Sequence, residues 1–538
     1  MITMFPFRFS LTRSLAISAL CLTVGFGGAP AQAQVTAYKQ AIAEAASVDE
    51  AVGAFYRQGK YEPIWTADTD ESRARRAALL DALTRTSQHG LPDMTPVADK
   101  LVKMLGEVRT TRDLGRAEVA LSQAFVDLAT DLQIGQIVPS SVDNGIVRKL
   151  PERDRTQYLV GMASSKPTAF MRTLPPATQE YRALMKEKLR LEKLMADGGW
   201  GAKVPVRKME PGQSGDGVVA LRNRLISMGY LKTSATRSYD STLQSAVQQF
   251  QVEHGLEADG VAGKSTIEQI NIPIRDRLKS IIVAMERERW MNRDRGTRHV
   301  LVNQTDFTAK IIDEGKVTFV TRSVIGKNTS DRRSPEFSDV MEHMVINPSW
   351  YVPRSIIANE YLPKLRANPN AVSHLEITDS RGRRVSRGSA NFAKYSGRNF
   401  PFAMRQPPGP KNALGLVKFM FPNKHNIYLH DTPQKHLFSR EVRAYSHGCI
   451  RLAQPFEFAY TLLAKQEQDP KGYFHRVLNS GQETKVPLKQ TIPVHIIYRT
   501  AFTSPKGRTE YRRDIYGRDA KIWNALSRQG VALPSVQG

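Results

Sequence analysis

Along the first third of the chain, apolar residues recur at spacings of three and four. Leu79, Leu80 and Leu83 open one such run, and Ala117 to Leu132 forms a longer one. This period predicts amphipathic helices. Gly90-Leu91-Pro92 breaks the first run, and Gly135 with Pro139 breaks the second. A charged helix is predicted from about Thr178 to Met195, ending at Gly198-Gly199-Trp200. Residues 34–205 therefore read as a helical scaffold domain. In residues 206–275, Val218, Leu221, Leu225 and Met228 line one helical face. Leu243, Ala246, Val247 and Phe250 line a second, and Gly263-Lys264-Ser265-Thr266 starts a third. Three short helices joined by small-residue turns make a compact module. A linker helix over 276–297 follows.

From about residue 298 the period changes. Val300 to Asn303, Ala309 to Ile312 and Val317 to Val324 are short alternating or β-branched runs, separated by Asp313-Glu314-Gly315 and Gly326-Lys327-Asn328. That is β-hairpin texture. Further strands are predicted at Met344 to Ile346, Leu416 to Met420, Ile427 to Leu429 and Val494 to Tyr498, with a helix entered at Pro455. The expected fold is multidomain α+β, with a mostly β domain over 298–502 and a C-terminal segment over 503–538. Within the β domain, 354–404 is polar, rich in Arg and Ser, and weakly periodic. A long structureless loop in a compact domain is usually functional, so this insertion is expected to cover a site.

The first 33 residues carry Arg8 and Arg13, an apolar core from Leu15 to Gly25 and a small-x-small Ala31-Gln32-Ala33. They read as a secretory signal, with an apolar core too short to span a bilayer. No later stretch is apolar enough to span one, so no membrane span is expected after cleavage. The 538 residues are too many for one core. They hold 77 Lys+Arg against 52 Asp+Glu, a formal charge of +25. Such a charge suits a polyanion. Export argues against nucleic acid and favours a carboxylate-rich polymer outside the cytoplasm.

The chain has two cysteines. Cys21 lies in the signal, so the mature protein carries one thiol, Cys449, within Tyr445-Ser446-His447-Gly448-Cys449-Ile450-Arg451. A lone exported thiol is buried and inert, paired with another chain, or kept for reactivity. A thiol becomes a nucleophile when a base takes its proton or a cation stabilises the thiolate. His447 and His430 are both candidate bases, and Arg451 supplies the cation. Gly448 permits a close backbone approach, so amides near it can form an oxyanion hole. The absence of C-x-x-C and H-E-x-x-H spacings makes a zinc site weak, and no S-x-x-K motif is present. A papain-like order is also disfavoured, because His430 precedes the cysteine. No metal or other cofactor is expected.

Two resemblances follow from longer motifs. Gly215-Asp216-x-x-Val219-x-Leu221, Gly229-Tyr230-Leu231, Tyr239-Asp240-x-Thr242 and Gly255-Leu256-x-x-Asp259-Gly260 resemble the peptidoglycan-binding module of bacterial wall enzymes. His430 followed by Ser446-His447-Gly448-Cys449 resembles the signature of L,D-transpeptidases with a YkuD-type catalytic domain. Asn347-Pro348-x-Trp350, Pro408-Gly409-Pro410-x-Asn412 and Asp514-Ile515-Tyr516-Gly517-x-Asp519 extend that likeness to the family's long multidomain branch. Arg333-Ser334-Pro335 departs from it in having serine where threonine is more usual. The resemblance implies Cys449 as nucleophile, His430 as base with the Asp431 carbonyl behind it, and His447 and Gly448 shaping the oxyanion hole. It assigns substrate contacts to Arg451, Ser446, Asn412, Trp350 and Tyr428.

The implied reaction is 3-3 crosslinking of peptidoglycan stem peptides, donor and acceptor, through a cysteine thioester with release of D-alanine in the periplasm. Carbapenem-type β-lactams are the implied inhibitors. Resolution of the same acyl-enzyme by water or by a protein amine, and a non-catalytic wall-binding protein, stand as the alternatives.

Overall fold

The computed structural model describes residues 36–504 and 507–534. The signal segment 1–33 and Cys21 lie outside the described residues. Helices fill the N-terminal third, the longest being Thr111–Ile134. Thr110 caps it, with Asp113 closing a reciprocal capping box. The predicted charged helix runs Gln179–Ala196. The module that follows has helices Asp216–Ser227, Ser241–Glu253 and Lys264–Ile270 around Leu221, Leu225, Val247 and Phe250. No helix among the described residues is long and apolar enough to cross a membrane.

The linker helix, Ile274–Trp290, is a buried axle rather than a tether. Its residues Glu286, Arg287, Glu288 and Arg289 are all buried. Four consecutive charges on a helix point in every direction, so each must be paired within the protein. Glu286 accepts from the backbone N–H groups of Gln136 and Ile137 at 2.9 and 3.1 Å. Arg289 donates to the His89 carbonyl at 2.9 Å. Arg287 pairs with Glu336 at 2.5 Å and Asp519 at 3.3 Å. Glu288 binds Arg295 and Arg499. One helix thereby ties the scaffold, the β domain and the C-terminal helix Arg518–Arg528 together.

The β domain is built on one nine-stranded sheet: β1 Arg298–Asn303, β2 Thr308–Asp313, β3 Lys316–Gly326, β4 Phe337–Ile346, β5 Val417–Met420, β6 Leu429–His430, β7 Ala444–Ser446, β8 Ile450–Leu452 and β9 Thr484–Ile497. Their order is β7-β3-β8-β6-β5-β4-β9-β1-β2, and a further pairing of β2 with β3 closes the ring. Inside lie Val300, Ile325, Met344, Phe419, Leu429, Ile450 and Phe458. The last comes from helix Pro455–Leu463.

The insertion 354–404 is not a structureless loop. It has a core of its own, including Ile357, Leu365, Ile377, Phe392, Phe400 and Met404. Its small sheet joins Trp350–Tyr351, Ala403–Gln406 and Glu376–Thr378. These apolar residues are scattered among Arg and Ser at no fixed period, so periodicity could not reveal them.

Candidate functional site

Strand pairing explains how distant residues meet. β8 runs parallel to β6, with Ile450 opposite Leu429 and Arg451 opposite His430. Successive side chains on a strand alternate faces. Ile450 and Leu429 turn into the core, where both are fully buried. Arg451, His430, Tyr428 and, just before β8, Cys449 therefore share the opposite face. All four line a cleft of about 1030 Å³ whose far wall is the insertion.

Cys449 is half-buried at the cleft floor. Its Sγ donates to the Asn426 carbonyl at 3.4 Å. Burial pushes the thiol up to about 11, against the opposing pull of the Tyr428 backbone and hydroxyl hydrogen bonds and the Arg451 charge. His430 is buried, and its Nδ1 stands 2.5 Å from the Asp431 carbonyl oxygen. A carbonyl only accepts, so Nδ1 carries the proton and Nε2 keeps its lone pair. Burial, then the Arg451 charge, drive the imidazole down to about 3, although the Asp431 and Leu414 carbonyls pull the other way. The resting site thus holds a neutral thiol and a neutral imidazole.

The loop that presents Cys449 is closed by its own hydrogen bonds. Ser446 Oγ donates to the Cys449 carbonyl at 2.6 Å and accepts from Gly448 N–H at 3.1 Å. Gly448 has φ +116, and a Cβ there would lie 3.2 Å from Ile427. Since the Gly448 amide is spent on Ser446, it is not a free oxyanion donor. Among the described residues the Cys449 N–H makes no hydrogen bond, which leaves it as the open backbone donor beside the sulfur.

Sequence motifs gave no role to the support behind this loop. Ser334 Oγ donates to the Gly448 carbonyl at 2.6 Å and accepts from Gly326 N–H at 3.0 Å. A Cβ on Gly326 would lie 1.9 Å from the Arg332 carbonyl, so only glycine allows the two backbones so close. Tyr516 OH donates to the Gly326 carbonyl at 2.6 Å. Arg518 donates to the Ser334 carbonyl at 3.0 Å. The C-terminal segment therefore braces the loop that presents Cys449. The Asp514-to-Asp519 motif was the sequence signal for it.

The remaining expected site residues divide into two groups. Trp350 and His447 line the cleft, as does Ser446. Asn412 does not. It is buried, and its amide staples the turn by donating to the Gln406 and Pro407 carbonyls at 3.2 and 2.9 Å. Arg451 donates to Gln434 at 2.6 Å, while its Nε is buried without a partner. From the insertion comes Glu360, which the sequence did not single out. Its Oε1 stands 2.5 Å from His447 Nε2 and accepts from Arg332 at 2.8 Å.

Three family models match the chain in succession. A scaffold domain matches 50–187, a "Putative peptidoglycan binding domain" 214–270, and the YkuD L,D-transpeptidase catalytic domain 297–488. A Haemophilus influenzae protein named "Putative L,D-transpeptidase" is 32% identical over 225 residues, 41% of this chain. The chain spans 45% of the length of that curated relative. A solved L,D-transpeptidase from Stackebrandtia nassauensis is 14% identical with a TM-score of 0.21, covering 55% of this chain and 96% of that one. Another from Xylanimonas cellulosilytica is 13% identical with a TM-score of 0.17, covering 54% and 98%.

Proposed function

Because the chain carries an L,D-transpeptidase catalytic domain beside scaffold and peptidoglycan-binding domains, we propose that it is a periplasmic L,D-transpeptidase that crosslinks peptidoglycan stem peptides. The observation that carries this reading is the shared strand face of Cys449, Arg451, Tyr428 and His430, with His430 Nδ1 tied to a carbonyl.

His430 Nε2 takes the thiol proton as Cys449 attacks the carbonyl between the third residue of the donor stem and its terminal D-alanine. The tetrahedral oxyanion forms beside the open Cys449 N–H and the Tyr428 hydroxyl. The C–N bond then breaks, His430 returns the proton to the departing D-alanine amine, and a thioester remains. The side-chain amine of an acceptor stem attacks that thioester, and the 3-3 amide forms as Cys449 leaves. No step calls for a metal or nucleotide.

Arg451, with its unpaired buried Nε, suits a carboxylate of the donor. The folded insertion closes the cleft over the thioester and limits hydrolysis. The module at 214–270 raises the local concentration of polymer.

A mass measurement tests the nucleophile. After incubation with meropenem, the intact protein is expected to gain one drug mass, mapping to the peptide that contains Cys449. Cys449→Ala is expected to gain none. A wild-type protein that stays unmodified favours a non-catalytic wall-binding role instead.

A further inference from the structure

Proton accounting poses a demand that one histidine does not meet. An alkyl amine with an ordinary value of about 10 reaches the site as an ammonium with three N–H bonds. The amide product keeps one, so two protons must leave. One is released as the N–C bond forms and the C–S bond breaks. It passes through His430 to the Cys449 sulfur, which leaves with the C–S electron pair. The other must depart earlier, because an ammonium has no lone pair with which to attack. His430, buried and needed for the later transfer, is not free to take it.

A second base stands in the cleft. His447 is exposed to it, two residues from the nucleophile, with its Nε2 2.5 Å from Glu360 Oε1. Such a contact places the Nε2 proton toward the carboxylate, so that in the neutral imidazole Nδ1 is the nitrogen with the lone pair. Arg332, donating to the same oxygen at 2.8 Å, fixes that carboxylate. Glu360 rides on a wide π-helical turn, Ile357–Tyr361, in the insertion. Such turns often mark functional positions in helices. Besides His430, Cys449 and the tyrosines Tyr351, Tyr361 and Tyr428, the other charged or titratable groups lining the cleft are Asp331, Arg332, His374, Lys411, His425 and Arg451. Asp331, the other carboxylate lining the cleft, is turned to Arg332 at 3.5 Å.

Resting on the transpeptidase reading above, we propose that His447 is the base that deprotonates the acceptor ammonium and that Glu360, carried in by the insertion, is its positioning residue. Closure of the insertion then does two things at once. It limits water at the thioester and completes the site that admits an amine. His447 takes the first ammonium proton, the imidazolium is held by Glu360, and the proton passes to solvent at the cleft mouth. The free amine then attacks.

The test compares wild type, Glu360→Gln and Glu360→Asp on a purified disaccharide-tetrapeptide, scoring crosslinked dimer against hydrolysed tripeptide. Meropenem acylation serves as the check that each variant is folded. At pH 7, Glu360→Gln is expected to lower the dimer-to-tripeptide ratio at least tenfold, and Glu360→Asp to restore most of it. The Glu360→Gln defect is expected to shrink as pH rises toward 9, because solvent then supplies free amine. A ratio equal to wild type overturns the proposal. So does a defect that stays constant with pH, which would mean only that a loosened insertion admits water. If wild type itself makes no dimer, the transpeptidase reading fails and this inference falls with it.

Discussion

Replacing His430 with asparagine is expected to cut the rate of Cys449 acylation at pH 7 by about 10³- to 10⁴-fold. The magnitude follows from the thiol. Burial holds it up at about 11, so without a base only about one site in 10⁴ carries a thiolate at pH 7. A general base ordinarily contributes about 10²- to 10⁴-fold, and here it has almost the whole of that deficit to recover. The pH profile gives the sign. In the variant, each unit of pH below 11 costs about a factor of ten in thiolate, so the rate is expected to climb through the alkaline range. Wild type is expected to hold a plateau down toward pH 3, where the His430 imidazole finally protonates and the rate falls. Stopped-flow acylation with meropenem from pH 4 to 10 measures the variant's alkaline limb against the wild-type plateau. A variant profile parallel to wild type would remove His430 from the base role.

The largest stability effect is expected far from the sulfur. Arg518 is fully buried and donates to the Ser334 and Gly145 carbonyls at 3.0 and 3.3 Å, with Glu336 at 3.3 Å. It also lies over the Tyr516 and Tyr498 rings, at 5.0 and 5.3 Å. Arg518→Met fills similar volume but leaves those acceptors unmet. Removing one partner of a buried charged pair costs about 3–5 kcal/mol. The variant should melt well below wild type. Through Ser334 and the Gly448 carbonyl, it should also acylate more slowly at temperatures where it is still folded. Arg518→Lys keeps the charge but loses the fork, and should fall between. Thermal melts and acylation rates on the same samples decide it. A variant that melts with wild type would show that the C-terminal segment does not brace the site.

What the sequence made legible was local chemistry and period. Cys449 stood out as a lone thiol beside a histidine and a glycine, and the strand before His430 was visible in Ile427 to Leu429. The Asp431 carbonyl behind His430 was implied by the family resemblance, and Nδ1 stands 2.5 Å from it. The parallel register that lays Arg451 against His430 was not legible, because pairing depends on which distant strands meet.

Asn412 looked like a substrate contact within a family motif, yet its amide is spent on its own turn. Glu360 was invisible for a related reason. A single polar residue in an aperiodic stretch gains meaning only from its partner across the cleft. The linker helix also hid its role in the sequence, because Glu286 to Arg289 are four charges in a row. All four are buried: Glu286 and Arg289 pair with each other, Arg287 pairs with Glu336, and Glu288 pairs with Arg295.

The most direct measurement of the central claim is product analysis with purified protein. Incubated with disaccharide-tetrapeptide, the wild-type chain should release D-alanine and yield dimers joined between third residues, as read by tandem mass spectrometry, and Cys449→Ala should yield neither. Dimers formed equally by both proteins, or D-alanine released with no 3-3 linkage from wild type, would contradict it.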